Sequence, residues 1–204
     1  MYIPKHFLVE DRGTIYDFID HHGFGILFST HNGGPFASHL PFESNRDEGC
    51  IYGHFARANE QWKEIAGQEA LIVFQGPHAY ISSSWYETNQ SVPTWNYVAV
   101  HAYGRIELIE DQEEVMRSLK RLVEKYEQPN SPYQLDETNQ AFTEKLSKGI
   151  VAFRMKVDRL EGKWKLSQNQ SEDRQRSIVA HLERSQSEDA RGIAELMKDH
   201  IGKR

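Results

Sequence analysis

The stretch Tyr97-Val98-Ala99-Val100-His101-Ala102-Tyr103-Gly104-Arg105-Ile106-Glu107-Leu108-Ile109 carries a repeat of two. Val98, Val100, Ala102, Ile106 and Leu108 share one parity, while Ala99, His101, Tyr103, Arg105 and Glu107 share the other. That period belongs to a long extended strand with one face against a core. Downstream the period changes. Asp111 with Glu114 three residues on is a capping box, and Val115, Met116, Leu119, Leu122, Val123 and Tyr126 follow as the apolar stripe of a helix. A Pro-bearing linker over 128–133 leads to a second helix over 137–147, closed by Gly149. A second long strand is expected over 150–160, with Val151, Phe153, Met155 and Val157 on one face and Gly162 marking its end. From Ser171 the composition turns charged and Ser/Gln-rich, with apolar residues at helical spacing, which predicts one or two amphipathic C-terminal helices.

Upstream, helical spacing of Ile15, Phe18, Ile19 and His22 predicts a helix over 14–21 stopped by Gly23. Strands are expected over 24–30 and 35–42, joined at His31-Asn32-Gly33-Gly34, because Asn and Gly accept positive φ. A polar turn over 43–49 and a strand over 50–55 follow, then a short helix over 60–66 capped by Asn59 and closed by Gly67. The apolar strand over 70–75 is expected to break at Gly76-Pro77 and resume over 78–86, ahead of a polar loop over 88–93. Strands joined by hairpins, with helices at intervals, imply an α+β or mostly β fold, either open or closed as an antiparallel barrel with peripheral helices.

The chain has 204 residues, ten Phe, nine Tyr and four Trp, enough for a packed core. A net charge of -6 argues against a surface that binds nucleic acid or anionic lipid throughout. The single cysteine, Cys50, forms no internal disulfide and reads as a packing residue. No apolar run approaches the ~20 residues that span a bilayer, and Met1-Tyr2-Ile3-Pro4-Lys5 lacks an export signal, so a cytoplasmic protein without a membrane partner is expected.

Strong catalytic signatures are missing: there is no G-x-S-x-G, H-E-x-x-H, C-x-x-C, P-loop or G-x-G-x-x-G. His39, His54, His78 and His101 lie on separate predicted strands, and their spacing requires no metal. Five strings do combine polar donors with aromatic or aliphatic neighbours. They are Ser38-His39-Leu40-Pro41-Phe42, His54-Phe55-Ala56-Arg57-Ala58-Asn59, Ile81-Ser82-Ser83-Ser84-Trp85-Tyr86, Val92-Pro93-Thr94-Trp95-Asn96-Tyr97 and Lys165-Leu166-Ser167-Gln168-Asn169. Strand ends and turns have this composition too. A phosphorylated planar heterocycle needs the same mixture: apolar faces for the ring, amides and hydroxyls for its carbonyl edge, and a cation for the phosphate.

Taken together, and with Phe74-Gln75-Gly76-Pro77-His78-Ala79-Tyr80-Ile81-Ser82, these strings resemble the PaiB family of FMN-binding negative transcriptional regulators along nearly the whole chain. One departure is Ser83, where the family usually has proline. The resemblance implies an FMN-binding split barrel like that of pyridoxamine-phosphate oxidase and flavin reductases. It implies a flavin-binding domain over 1–169, a helical extension over 170–204, and a homodimer with FMN at the subunit interface. On that picture Arg57 and Asn59 serve the phosphate and ribityl region, and Ser82 and Ser84 add hydroxyls. Thr94, Trp95 and Asn96 cover the isoalloxazine from the partner subunit, and Lys165 and Gln168 belong to the same pocket. The family's regulatory role, in protease production and sporulation, implies DNA as a direct or indirect partner. The alternatives are a flavin-dependent oxidoreductase using a nicotinamide donor, and a module that holds haem through His78 or His101, or no cofactor.

Overall fold

Thr94–Leu108, the strand that the repeat of two predicted, keeps its phase from end to end: Asn96, Val98, Val100, Ala102, Gly104 and Ile106 are all buried. It is the seventh of eight strands in the computed structural model, which describes residues 1–202; the last two residues of the expected 170–204 extension lie outside them. The strands are β1 (Leu8–Val9), β2 (Phe24–His31), β3 (Gly34–Pro41), β4 (Glu43–Asn45), β5 (Cys50–Ala56), β6 (Glu69–Ile81), β7 (Thr94–Leu108) and β8 (Ile150–Lys165). The helices are α1 (Arg12–His21), α2 (Trp62–Ile65), α3 (Gln112–Tyr126), α4 (Gln140–Ser147), α5 (Glu172–Glu183) and α6 (Glu188–His200). Hydrogen bonding orders the sheet β3-β2-β6-β7-β8-β5-β4, with β1 added on β8.

Several expectations change, among them the strand over 78–86, which ends at Ile81 and gives way to a 3-10 turn over Ser83–Trp85. Gly76-Pro77 does not end its strand: β6 runs through it and shifts phase. Ala70, Ile72 and Phe74 are buried before the pair and Ala79 and Ile81 after it, so the inward parity moves by one residue, as at a bulge. β8 likewise passes Gly162, with Val151, Phe153 and Met155 buried first and Gly162, Trp164 and Leu166 later. The polar stretch 43–49 opens with β4, whose Glu43, Ser44 and Asn45 pair with Tyr52, Ile51 and Cys50. Asp111 caps α3 as expected, its carboxylate accepting from the Glu114 amide at 2.7 Å, whereas the helix expected over 60–66 runs Trp62–Ile65, with Gln61 rather than Asn59 at its N-cap and no side-chain cap bond there.

Contacts divide the chain into two compact units. One comprises residues 16–74 and 101–160. Its core is a group of fully buried rings, with centroid separations of 5.6 Å between Phe42 and Phe74 and 4.8 Å between Phe55 and Phe153. Full burial of each such side chain stabilises by about 1.5–3 kcal/mol. The other comprises residues 1–15, 75–100 and the described part of 161–204. Its buried side chains include Ile81, Val98, Val100, Trp164, Ile178, Ile193 and Met197. Cys50 is buried, and burial pushes its thiol up, away from thiolate chemistry.

Burial sets a pH dependence. It holds the imidazoles of His54 and His22 below the ordinary 6.5, His22 with a further contribution from His21. The unfolded chain therefore binds protons that the folded chain refuses, and stability is complete above pH 6.5 and declines as pH falls through it. Thermal melts between about pH 5 and pH 8 are expected to show this decline, and His54→Gln should reduce its slope. A His54→Gln profile parallel to that of the unaltered chain would exclude His54 as a source.

Candidate functional site

The end of β6 and the start of β7 lie side by side in the sheet, joined by the connection 82–93. Because side chains alternate, burying Ala79 and Ile81 turns Tyr80 outward, and burying Asn96 and Val98 turns Trp95 outward. The two rings meet edge to face at 5.9 Å, and His78 lies 6.0 Å from Trp95. Tyr80 remains 48% exposed and Trp95 53%. Such large rings left open to solvent beside one another form an apolar platform.

Lys165 stands at one edge of it. Its ammonium donates to Thr94 Oγ1 and, at 2.8 Å, to the Trp95 carbonyl. Lys163, two residues earlier, is buried; it donates to the Tyr2 carbonyl at 3.1 Å and lies 4.9 Å from the Tyr97 ring centroid. Among the described residues neither ammonium meets a carboxylate. Burial, and then the charge of Lys163, hold the Lys165 pKa below its ordinary value. Both effects penalise the ammonium and are relieved by an arriving anion.

Ser82 and Ser84 follow Tyr80. Their hydroxyls lie 2.8 Å apart, and the Ser84 amide donates to Ser82 Oγ at 3.2 Å, so Ser82 caps a single 3-10 turn over Ser83–Trp85. Asn96 is fully buried, with its amide bonded at both ends to Ser167 Oγ, at 3.0 and 3.1 Å. It braces the turn after β8. Gln168 lies in that turn, donating to the Trp164 carbonyl at 2.6 Å and accepting from the Leu166 amide at 2.8 Å. It lines a separate polar cleft of about 530 Å³ with His6, Asn169 and His200.

Arg57 and Asn59 belong to the other unit. Arg57 follows β5, and its guanidinium donates at 2.7 Å to the carbonyls of both Lys148 and Ile150. It stands 6.0 Å from the Trp62 ring, at a groove of about 450 Å³ that Lys148 and Ser147 also line. The side chain is exposed, and its remaining N–H groups are available to an anion. Asn59 donates to Ser38 Oγ at 2.8 Å and accepts from the Gln61 amide at 3.0 Å.

The structure thus joins Thr94, Trp95 and Lys165 directly, links them through Tyr80 to Ser82 and Ser84, and gives Asn96 and Gln168 supporting positions. Tyr80 and Lys163 were not singled out from sequence. The signal for Tyr80 was its alternation with Ala79 and Ile81, obscured by the phase shift at Gly76-Pro77. Among the described residues no group of three or more His, Cys, Asp or Glu side chains could hold a metal ion, and no helix is long and apolar enough to cross a membrane. Exposed rings, hydroxyls and uncompensated ammonium groups fit a phosphorylated planar heterocycle.

Comparison with known proteins gives the same chemistry a context. A family model described as "Putative FMN-binding domain" matches residues 1–159. The "Protease synthase and sporulation protein PAI 2" of Bacillus subtilis is 41% identical over 207 aligned positions, covering 100% of this chain and 99% of that protein. Among solved structures, the flavocytochrome Anf3 from Azotobacter vinelandii aligns with a TM-score of 0.62 at 16% identity, over 80% of this chain and 72% of that one. A "putative 5-nitroimidazole antibiotic resistance protein" from Bacteroides thetaiotaomicron aligns with a TM-score of 0.57 at 17% identity, over 76% and 85%. At such identities these two likenesses speak to the fold alone. The fold class is the expected one, an antiparallel split barrel with peripheral helices.

Proposed function

Because the chain belongs to the PaiB family of FMN-binding domains, we propose that it binds FMN and uses the bound flavin in negative control of transcription. The observation that carries this reading is the Lys165 ammonium, which meets no carboxylate among the described residues, at the edge of the exposed rings of Trp95 and Tyr80. Trp95 and Tyr80 offer faces to the isoalloxazine. Lys165, Thr94, Ser82 and Ser84 supply donors on the same unit; Arg57 and Asn59, on the other, are the candidates for phosphate and ribityl contacts. Asn96 and Gln168 hold the turn that follows Lys165. Bound FMN would supply redox chemistry, and the protein's part is to orient it and exclude competing reactions.

A second copy of the chain completes this picture. On the outer face of β2, Phe24 is 65% exposed and Phe28 36%, with His39 and Ala37 of β3 on the same face. An apolar face of this kind suits an isologous contact. In this reading the flavin lies at the homodimer interface, residues 1–169 form the flavin-binding part, and the protein works in the cytoplasm. Regulation of protease production and sporulation rests on the full-length similarity to the Bacillus subtilis protein. DNA is reached directly or through another factor; a salt-titrated shift assay separates the two.

The test is a titration of the purified protein with FMN, followed by tryptophan quenching and by the flavin band kept after desalting. Retained flavin is expected, and Trp95→Ala should raise Kd about tenfold, since loss of one stacking partner costs about 1–3 kcal/mol. A chain that takes up no FMN sinks the reading. Adding NADH or NADPH to the loaded protein addresses the oxidoreductase alternative, for which bleaching within minutes is the signature.

A further inference from the structure

The helix α5 lies beyond residues 1–159, which the family model matches. One of its faces nevertheless addresses a single short segment, 85–87. Ser177 Oγ donates to the Trp85 carbonyl at 2.8 Å. The His181 ring stacks on the Trp85 ring, with centroids 5.0 Å apart and planes within 11°. Arg174 donates to the Glu87 carboxylate, at 2.9 Å through Nε, while its guanidinium lies 5.2 Å from the Tyr86 ring centroid. These side chains sit at i, i+3 and i+7, one stripe of a helix. The adjoining stripe, Ile178, Val179 and Leu182, is buried. The neighbouring helix α6 adds Asp189, 3.4 Å from His78, and Met197, whose sulfur accepts from Asn96 at 3.5 Å.

The gripped segment is continuous with the 3-10 turn that sets Ser82 and Ser84, because the Trp85 amide donates to the Ser82 carbonyl and the Tyr86 amide to that of Ser83. Ser83 opens the turn. Serine leaves φ free where proline would fix it, so the turn needs support from outside itself. We propose that Arg174, Ser177 and His181 are positioning residues for the flavin pocket: by gripping 85–87 they hold the hydroxyls of Ser82 and Ser84 in the arrangement that receives the ligand. This rests on the flavin reading for its ligand, but the grip itself is testable without one.

The experiment uses the full chain with Arg174→Ala/His181→Ala, and His181→Ala alone should the double variant fail to fold. Amide hydrogen exchange over 83–87, without ligand, is expected to speed up about tenfold, as for one lost hydrogen bond or stack. FMN should bind about tenfold more weakly. The decisive readout is rescue. Ser82 has φ -75 and ψ 138, the extended conformation required before proline, and the first position of a turn is where proline fits. Adding Ser83→Pro should therefore restore both slow exchange and affinity, which a general loss of stability would not allow. Unchanged exchange overturns the grip, and faster exchange with unchanged affinity overturns positioning. An unaltered chain that takes up no FMN removes the ligand reading instead, and the exchange and its rescue by Ser83→Pro then decide the grip alone.

Discussion

Gly104→Ala is expected to cost at least about 3 kcal/mol of stability, the upper end of what overpacking does. A Cβ at Gly104 would lie 2.0 Å from the Lys156 carbonyl oxygen and 2.9 Å from both the carbonyl carbon of Lys156 and Met155 Cγ. The obstacle is backbone, so no rotamer change relieves it. Nor can that backbone withdraw freely. Lys156 is paired with Cys50 in the β5–β8 ladder, and Met155 beside it is fully buried. Relief therefore requires breaking sheet pairing on one side of β8 or the other. In a chain of this size the loss corresponds to a Tm lower by about 10 °C, read by calorimetry or circular dichroism. Gly34→Ala is the control. Its Cβ would meet only the His31 carbonyl at 3.9 Å, and little change is expected. A Gly104→Ala protein that melts with the unaltered one would mean that β7 and β8 do not approach as closely as described.

The same close approach shows where the sequence was legible. β7 keeps one phase from Asn96 to Ile106, so its repeat could be read without knowing its neighbours. β6 and β8 each shift phase once, at Gly76-Pro77 and ahead of Gly162. Read locally, glycine and proline end strands; here they sit inside long strands that pass from one compact unit to the other. Helix α3 was legible because its cap and stripe are local. Of the candidate site, Thr94, Trp95 and Lys165 were found through strings of mixed polar and aromatic residues. That Lys165 bonds to Thr94 follows from adjacency of β7 and β8, which no spacing along the chain records. The attachment of His181 to Trp85 likewise joins residues far apart in sequence through a ring stack, and composition alone left α5 a charged amphipathic helix.

Lys165→Met is expected to weaken FMN binding by about 10- to 100-fold, because hydrogen bonds to a charged group contribute about 1.5–3 kcal/mol. Methionine keeps most of the apolar stem, so the ammonium is what is lost. Two comparisons make the outcome specific. Riboflavin lacks the phosphate; if Lys165 reads the phosphate, the substitution affects FMN and spares riboflavin, whereas a role at the ring edge weakens both. The second is pH. Burial, and next the charge of Lys163, hold the Lys165 ammonium below its ordinary 10.5. The charged form that receives an anion is present below the folded pKa and disappears as pH rises through it. Affinity should therefore fall on the alkaline side before an ordinary lysine would titrate, and Lys165→Arg, which stays charged, should flatten that fall. A Lys165→Met protein that binds FMN as the unaltered chain does would place the flavin away from this edge of the Trp95 platform, and would leave the two lysines as a structural feature of β8.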